Sequence, residues 1–213
     1  MTERARTGRA DGSETWREVL LDRWRIGQDR SVVGPGDPAE HLAHAEAMTT
    51  VLDAPEFAVD LGSGAGIPGL ALAGLWPQSH WVLLDAAHRR VRLLQDSVEA
   101  LGWSARVTVV HGRAEDVARD AALRGRADLV TSRSFGRPAV AAECGAAFLR
   151  LGGILAVTEP PGSEGDRWTA DGLAQLGLVG LGVHGGLQLL RCDSVTGAEF
   201  PRRSGIPAKR PLF

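Results

Sequence analysis

The sequence is poor in cysteine and has no long apolar run. Its two cysteines, Cys144 and Cys192, are far apart and match neither a metal-knuckle spacing nor a disulfide framework. We therefore expect two reduced, buried thiols and no metal site. No segment approaches the roughly 18 apolar residues that a membrane-spanning helix needs. The polar start of the chain, with Arg4, Arg6 and Arg9, lacks the apolar stretch of a secretory signal. These absences predict a cytoplasmic protein that does not contact a membrane.

Neither positive nor negative charge is in large excess. The net charge of −2 argues against a surface that is cationic throughout, as in a protein that wraps nucleic acid. With 213 residues, 44% hydrophobic and 23% charged, the chain suits one folded domain with extensions. Its C-terminal segment, residues 197–213, is nevertheless basic, with Glu199 as the single acid. The four cations of this tail are Arg202, Arg203, Lys209 and Arg210. On its own, such a tail is most simply a solvated surface segment.

Two helices are predicted before the first strand. Apolar residues at helical spacing predict the first from Glu14 to Arg25, and Gly27 is expected to end it. The second begins at Asp37-Pro38-Ala39-Glu40, which combines a cap, a proline in the first turn and a glutamate three residues past the cap. We expect it to run to about Leu52. Residues 1–53 are thus predicted to form an N-terminal helical extension.

From Phe57 onward, apolar strands alternate with helical segments, as in parallel sheets with crossover helices. Strands are predicted at Phe57–Leu61, His80–Leu84, Arg106–His111, Ala127–Ser132, Gly153–Thr158, Leu178–Val183 and Leu187–Cys192. Helices are expected at Gly69–Leu75, Ala87–Leu101, Glu115–Leu123, Pro138–Leu149 and Arg167–Leu176. Only His184-Gly185-Gly186 separates the last two strands, and a parallel return needs about a dozen residues or more. The last pair must therefore be antiparallel.

This order of elements predicts an α/β fold of the class I methyltransferase (Rossmann-like) type. Its features are a doubly wound seven-stranded sheet, an antiparallel last strand and the N-terminal helical extension. The dinucleotide-binding fold differs because its last strand is usually parallel. We expect residues 54–196 to form the cofactor-binding domain, followed by the basic tail, 197–213.

The strongest motif lies between the first strand of the sheet and its helix: Val59-Asp60-Leu61-Gly62-Ser63-Gly64-Ala65-Gly66-Ile67-Pro68-Gly69. Its glycines let the backbone turn sharply and approach a ligand without a Cβ in the way. Glycine spacing alone does not decide the ligand, because it also fits the dinucleotide fingerprint. Charge separates the two, because S-adenosylmethionine carries an ammonium and no phosphate, so Asp60 favours it and repels a pyrophosphate. The sequence contains no Gly-Lys-Ser/Thr of a nucleoside triphosphate loop. We predict cofactor contacts at Asp60, Gly62, Gly64 and Gly66.

Further candidates follow the neighbouring strands. Asp85 ends the second strand, where its carboxylate can accept both hydrogen bonds of a ribose diol or cap the next helix. Glu115 follows the third strand near the expected adenine position, and it equally suits the first turn of a helix. Arg133 follows the fourth strand, where it can hold the cofactor carboxylate or a substrate phosphate. Taken alone, its segment is equally a surface loop.

Four segments together resemble the bacterial RsmG (GidB) family, which methylates N7 of a guanine in 16S ribosomal RNA. They are the glycine motif Val59–Leu70, Leu83–Leu94 with its Arg89-Arg90-Val91-Arg92, Thr131–Phe135, and the tail from Phe200 to Leu212. The resemblance spans about residues 57–213, and the tail is its most specific part. It implies S-adenosylmethionine contacts at the positions of Gly62, Ile67, Ala114, Glu115 and Arg133. It also implies RNA contacts by Arg113 and the four tail cations, with ribosomal RNA or the small ribosomal subunit as partner.

The implied chemistry needs no acid or base, because guanine N7 has a free lone pair and no proton to lose. We therefore predict no catalytic acid or base, and we expect a monomer. One difference from the family lies after the fifth strand, where Thr158-Glu159 replaces a Lys-Gly; the added anion is expected to weaken phosphate binding. The alternatives are a diverged methyltransferase for another RNA or a small molecule, a non-catalytic cofactor- or RNA-binding module, and an NAD-dependent oxidoreductase.

Overall fold

A computed structural model describes residues 12–213 of the chain. Its strands are β1 (Phe57–Leu61), β2 (His80–Asp85), β3 (Val107–His111), β4 (Ala127–Ser132), β5 (Leu149–Thr158), β6 (Leu178–His184) and β7 (Leu187–Cys192). Its helices are α1 (Gly12–Asp29), α2 (Pro38–Met48), α3 (Gly69–Leu75), α4 (His88–Ala100), α5 (Ala114–Val117), α6 (Pro138–Ala146), α7 (Ala170–Ala174) and α8 (Ile206–Lys209).

The seven strands form one sheet in the order β3-β2-β1-β4-β5-β7-β6. Strands β1 to β5 are parallel to one another, whereas β7 runs antiparallel to both β5 and β6. The strand order reverses between β1 and β4, which is the point where open α/β sheets bind ligands. The predicted class I methyltransferase fold, with its antiparallel last strand, is confirmed.

Both faces of the sheet are covered, because alternate residues of each central strand point into two different hydrophobic clusters. In β1, Ala58 belongs to the cluster built with α1 to α4, and Val59 belongs to the cluster built with α6 and α7. Trp24 of α1 and Phe148 after α6 are among the largest fully buried side chains. The N-terminal helices therefore pack on one face of the sheet and help to build its core.

Several boundaries differ from the sequence predictions for physical reasons. Helix α1 continues through Gly27 to Asp29. The glycine is needed there for close packing, since a Cβ would come within 2.6 Å of the Val33 side chain. Helices α5 and α7 have only 4 and 5 residues, and hydrogen-bonded turns replace the rest of the predicted helical stretches. Strand β5 begins early, at Leu149, because Ala127 pairs with it there before a register shift.

Within residues 12–213, no helix is both long and apolar enough to cross a membrane. Over the same described part of the chain, the His, Cys, Asp and Glu side chains form no group of three or more that could hold a metal ion.

Candidate cofactor site

The turn after β1 has the backbone geometry that its glycines predict. Gly62, Gly64 and Gly66 have φ angles of 65°, 61° and 84°, a region that side chains with a Cβ rarely adopt. A Cβ on Gly62 would also lie 2.7 Å from the Phe135 ring. Helix α1 braces the turn, because the Trp24 indole nitrogen donates a hydrogen bond of 2.9 Å to the Ala65 carbonyl oxygen. The turn is thus fixed by its own conformation and by its neighbours.

Asp85, at the end of β2, joins this turn to the start of α4. Its Oδ2 accepts a 2.9 Å hydrogen bond from the Gly64 amide, and its Oδ1 accepts one of 2.8 Å from the Ala87 amide. The Arg90 guanidinium lies 3.6 Å from Oδ2. The carboxylate therefore organises the turn and the helix start. Its predicted contact with a ribose diol would use its remaining lone pairs, and it stays a prediction.

Asp60 lies beneath the turn, buried at 1% exposure. Its Oδ1 accepts a 2.6 Å hydrogen bond from the Thr131 hydroxyl, whereas its Oδ2 has no hydrogen-bond partner. That oxygen faces the start of α3, and a Cβ on Gly69 would lie 2.6 Å from it. Burial raises the pKa of Asp60 to about 6, against the opposing effect of the Thr131 hydrogen bond. A nearby cation would stabilise this incompletely satisfied carboxylate.

A cavity of about 410 Å³ opens at the carboxyl edge of β1, β2 and β4. Its volume is in the range of small-molecule sites. It is lined by Gly62, Leu84, Asp85, Ala86, Gly112, Arg113, Ala114, Glu115, Phe135, Gly136, Arg137, Val140 and Ala208. These residues fit an adenosine-containing ligand. Apolar side chains and glycine backbone can contact a base, and the Asp85 carboxylate at the end of β2 can accept hydrogen bonds.

The C-terminal tail folds back onto this cavity and contributes Ala208 to its lining. The Glu115 carboxylate accepts hydrogen bonds from the Gly205 amide at 2.9 Å and from Arg113 at 3.0 Å. The Ser204 hydroxyl donates to Asp116 at 2.7 Å. Burial would raise the pKa of Glu115, but the hydrogen bonds from Gly205 and Arg113 lower it below its ordinary value. Glu115 is therefore an ionised anchor for the tail.

Arg202 fastens the tail to the core of the domain. Its guanidinium and its backbone amide both donate to the Glu143 carboxylate, with distances of 2.6 to 3.2 Å. The Glu143 side chain is 0% exposed and that of Arg202 is 27% exposed. Its neighbour Arg203 is exposed, as are Lys209 and Arg210. The tail cations thus differ in environment, with one committed to a buried ion pair and three at the surface.

Arg133 lies beside the cofactor cavity and lines a second, smaller cavity of about 290 Å³. Its guanidinium is 3.3 Å from His41 Nδ1 of α2. Burial and the Arg133 charge lower the pKa of His41, so that a neutral ring can accept this hydrogen bond. Phe135 and Gly136 line both cavities, which therefore adjoin.

The structure brings five of the predicted residues to the wall of the cofactor cavity: Gly62, Asp85, Arg113, Ala114 and Glu115. The other predicted cofactor residues form the turn behind it or the rim beside it; they are Asp60, Gly64, Gly66, Ile67 and Arg133. Sequence reasoning missed Phe135, Arg137, Val140 and Ala208. Phe135 directly follows a predicted rim segment and could have been included, whereas Ala208 carries no local signal, since only the folded tail brings it there.

The family model GidB, described as rRNA small subunit methyltransferase G, matches residues 39–159. Among curated relatives, the ribosomal RNA small subunit methyltransferase G of Leuconostoc citreum is 34% identical, over 72% of this chain and 68% of the relative. The protein of the same name from Roseiflexus castenholzii is 37% identical, over 76% of this chain and 73% of the relative.

Solved structures show the same fold at low sequence identity. A methyltransferase from Geobacter sulfurreducens aligns with a TM-score of 0.60 and 16% identity, covering 88% of this chain and 93% of its own. An O-methyltransferase from Bacillus cereus in complex with SAH aligns with a TM-score of 0.58 and 14% identity, covering 81% and 88%. The family match, spanning more than half of the sequence, agrees with the fold and the glycine turn. This chain belongs to the GidB family of rRNA small subunit methyltransferases.

Proposed function

We propose that this methyltransferase uses S-adenosylmethionine to methylate N7 of a guanine in 16S ribosomal RNA. The observation that carries the proposal is the cavity that joins the glycine turn to the folded-back tail, in a chain of the GidB family. S-adenosylmethionine supplies the methyl group. The acceptor follows the resemblance, and the printed names of the relatives, rRNA small subunit methyltransferases, support an acceptor in ribosomal RNA.

The cofactor residues are proposed in three groups. Gly62, Gly64 and Gly66, with Ile67, give the backbone turn against which the methionyl part lies, above the buried carboxylate of Asp60. Asp85 holds the ribose, and Ala114 and Glu115 lie along the adenine. Arg133 holds an anionic group at the boundary of the two cavities. Asp60 does not line the cavity, so its proposed effect on the ammonium is electrostatic, acting across the turn.

Guanine N7 attacks with its own lone pair, so no side chain has to remove a proton. The protein's task is to align the acceptor with the methyl group, and positioning of this kind is worth on the order of 7–11 kcal/mol in well-oriented systems. We assign no catalytic acid or base. This assignment agrees with the environment of Glu115, because its carboxylate already accepts hydrogen bonds from the Gly205 amide and from Arg113.

RNA affinity is proposed to come from cations on the cavity rim and the tail. Arg113 is 54% exposed beside the cavity, and Arg203, Lys209 and Arg210 are exposed on the tail. Arg202 contributes differently from the sequence-based proposal, since its ion pair with Glu143 ties down the tail that carries the others. Cations at phosphates give sequence-independent affinity. In keeping with the sequence-based expectation, we further propose that the protein is a cytoplasmic monomer.

The experiment is methyl transfer from labelled S-adenosylmethionine to small ribosomal subunits that lack the modification. Large-subunit ribosomal RNA and transfer RNA serve as matched acceptor controls. We expect one methyl group per 16S RNA, recovered as 7-methylguanosine by nucleoside mass spectrometry. Label found only in another RNA or a small molecule would support a diverged methyltransferase. Cofactor binding without transfer to any of these acceptors would support a non-catalytic module.

A further inference from the structure

The second cavity, next to the cofactor cavity, has features that the cofactor proposal does not use. It lies between the end of β4, the end of β5 and the loop from Glu159 to Trp168. Its volume of about 290 Å³ is enough for one nucleotide base, and it adjoins the cofactor cavity at Phe135 and Gly136. An acceptor base in it would therefore lie next to the cofactor.

Ser132 lines this cavity; the residue is only 2% exposed, and its buried hydroxyl has no hydrogen-bond partner. A buried polar atom without a partner costs free energy, so such atoms in native proteins usually have a specific reason. A hydroxyl can donate or accept, and it can therefore pair with the polar edge of a base. Phe135, in the same wall, offers an aromatic face on which a base can stack.

Glu159 has an environment that contradicts the simple expectation from the sequence. The replacement of Lys-Gly by Thr158-Glu159 predicts an anion at the mouth. Instead, the Glu159 side chain is 0% exposed, and its carboxylate accepts hydrogen bonds from Ser163, from Arg167 at 2.7 Å and from Trp168 at 2.9 Å. Burial would raise the pKa of Glu159, but these three hydrogen bonds outweigh it and keep the carboxyl ionised.

Arg167 is the solvent-facing member of this pair, with 43% of its side chain exposed. The ion pair is thus oriented with its negative end in the protein and its positive end at the rim of the cavity. The buried carboxylate also fixes the guanidinium, which reduces the rotamer entropy lost when Arg167 binds an anion. The Arg167 guanidinium therefore lies at the rim, and Arg133 lines the same cavity.

We propose that the second cavity holds the nucleotide to be methylated, with the Ser132 hydroxyl on its base and Arg167, fixed by Glu159, on its phosphate. Arg167 is a positioning residue, because it holds the backbone and leaves N7 of the base free. The inference rests on the proposed RNA methylation and deepens it. It assigns the acceptor side of the site to residues of this chain that lie outside the cofactor cavity.

The test compares the wild-type protein with Arg167→Ala, Arg167→Lys and the double variant E159Q/R167A. The double variant controls for loss of folding, because Arg167→Ala alone leaves the buried Glu159 carboxylate without its cation. Arg191→Ala is the matched control, since Arg191 lies on β7, is 46% exposed and is paired with Asp193. For each protein we would measure steady-state methyl transfer to 16S RNA, the dissociation constant of the RNA at several salt concentrations, and binding of S-adenosylhomocysteine.

Loss of the Arg167 cation should raise KM and the RNA dissociation constant roughly tenfold, the size of one charge-assisted contact. The plot of log affinity against log salt should become shallower by about 0.7, the effect of one lost phosphate contact on a single strand. kcat should stay within about twofold, S-adenosylhomocysteine should bind as before, and Arg167→Lys should keep the wild-type salt slope. A residue with a purely structural role would not change the salt slope.

Ser132→Ala gives an independent check on the base contact. It should raise KM without changing the salt slope, because it removes no charge. Wild-type salt slope and RNA affinity in both Arg167→Ala and the double variant would overturn the inference. A wild-type protein that binds RNA with the predicted Arg167 dependence but transfers no methyl group would instead contradict the proposed function.

Discussion

Replacing Asp60 by asparagine tests the buried carboxylate beneath the glycine turn. Burial raises the pKa of Asp60 to about 6 from an ordinary 3.8. At a pH between these two values, Asp60 therefore keeps its proton in the folded protein and has lost it in the unfolded chain. Stability from this group is present at low pH and is lost as the pH rises to about 6. The difference of about 2.2 pH units corresponds to about 3 kcal/mol at neutral pH.

Asparagine has nearly the same shape and no charge, so Asp60→Asn should remove this penalty. The free energy of unfolding of the variant minus that of the wild type should increase by up to about 3 kcal/mol between pH 4 and pH 7. Urea unfolding of both cofactor-free proteins across this range measures it. The difference also cancels the opposite trend of Glu115 and Glu159, whose lowered pKa values make both proteins less stable in acid. A difference that does not change with pH would refute the reasoning.

The same variant tests the proposed ammonium interaction. If a cation of the cofactor lies near Asp60, binding favours the ionised carboxyl and should strengthen as the pH rises through about 6. Asp60→Asn should lose this pH dependence and bind S-adenosylmethionine about tenfold more weakly at pH 8. Calorimetric titration gives both quantities. Equal affinities of the two proteins at pH 8 would show that Asp60 does not act on the cofactor.

Two further predictions concern the cavity wall and the tail. Asp85→Asn should weaken S-adenosylhomocysteine binding by about tenfold or more, because it removes an acceptor from the Gly64 amide. As a control, Asp171→Asn, at an exposed position on α7, should bind like the wild type in the same titration. Arg202→Ala should lower the free energy of unfolding by about 3 kcal/mol, since it leaves the buried Glu143 unpaired. Its neighbour Arg203→Ala should change it by less than about 0.5 kcal/mol in the same urea unfolding experiment.

The fold could be predicted closely from the sequence because buried parallel strands leave a strong local record. Apolar runs bounded by turn residues gave Phe57–Leu61 and Ala127–Ser132 with the bounds that the structure has. The two-glycine connection between β6 and β7 was sufficient to require an antiparallel pair. Short helices were predicted poorly: α5 ends after Val117, and local turns follow where the helical pattern of the sequence continues.

The site could be predicted only in part, because much of it depends on contacts between distant residues. The position of Ala208 follows from the Glu143–Arg202 ion pair, whose partners are 59 residues apart. The orientation of Glu159 depends on Arg167 and Trp168, so the sequence predicted an anion where the structure presents a cation. Local propensity carries no information on either arrangement.

The central claim is that S-adenosylmethionine binds in the cavity between the glycine turn and the folded tail. A crystal structure of the protein grown with S-adenosylhomocysteine tests it most directly. We expect the ligand against Gly62, with its ribose at Asp85 and its adenine beside Ala114. A crystal in which this cavity is empty and the ligand binds elsewhere, or in which a dinucleotide occupies it in preference, would contradict the account.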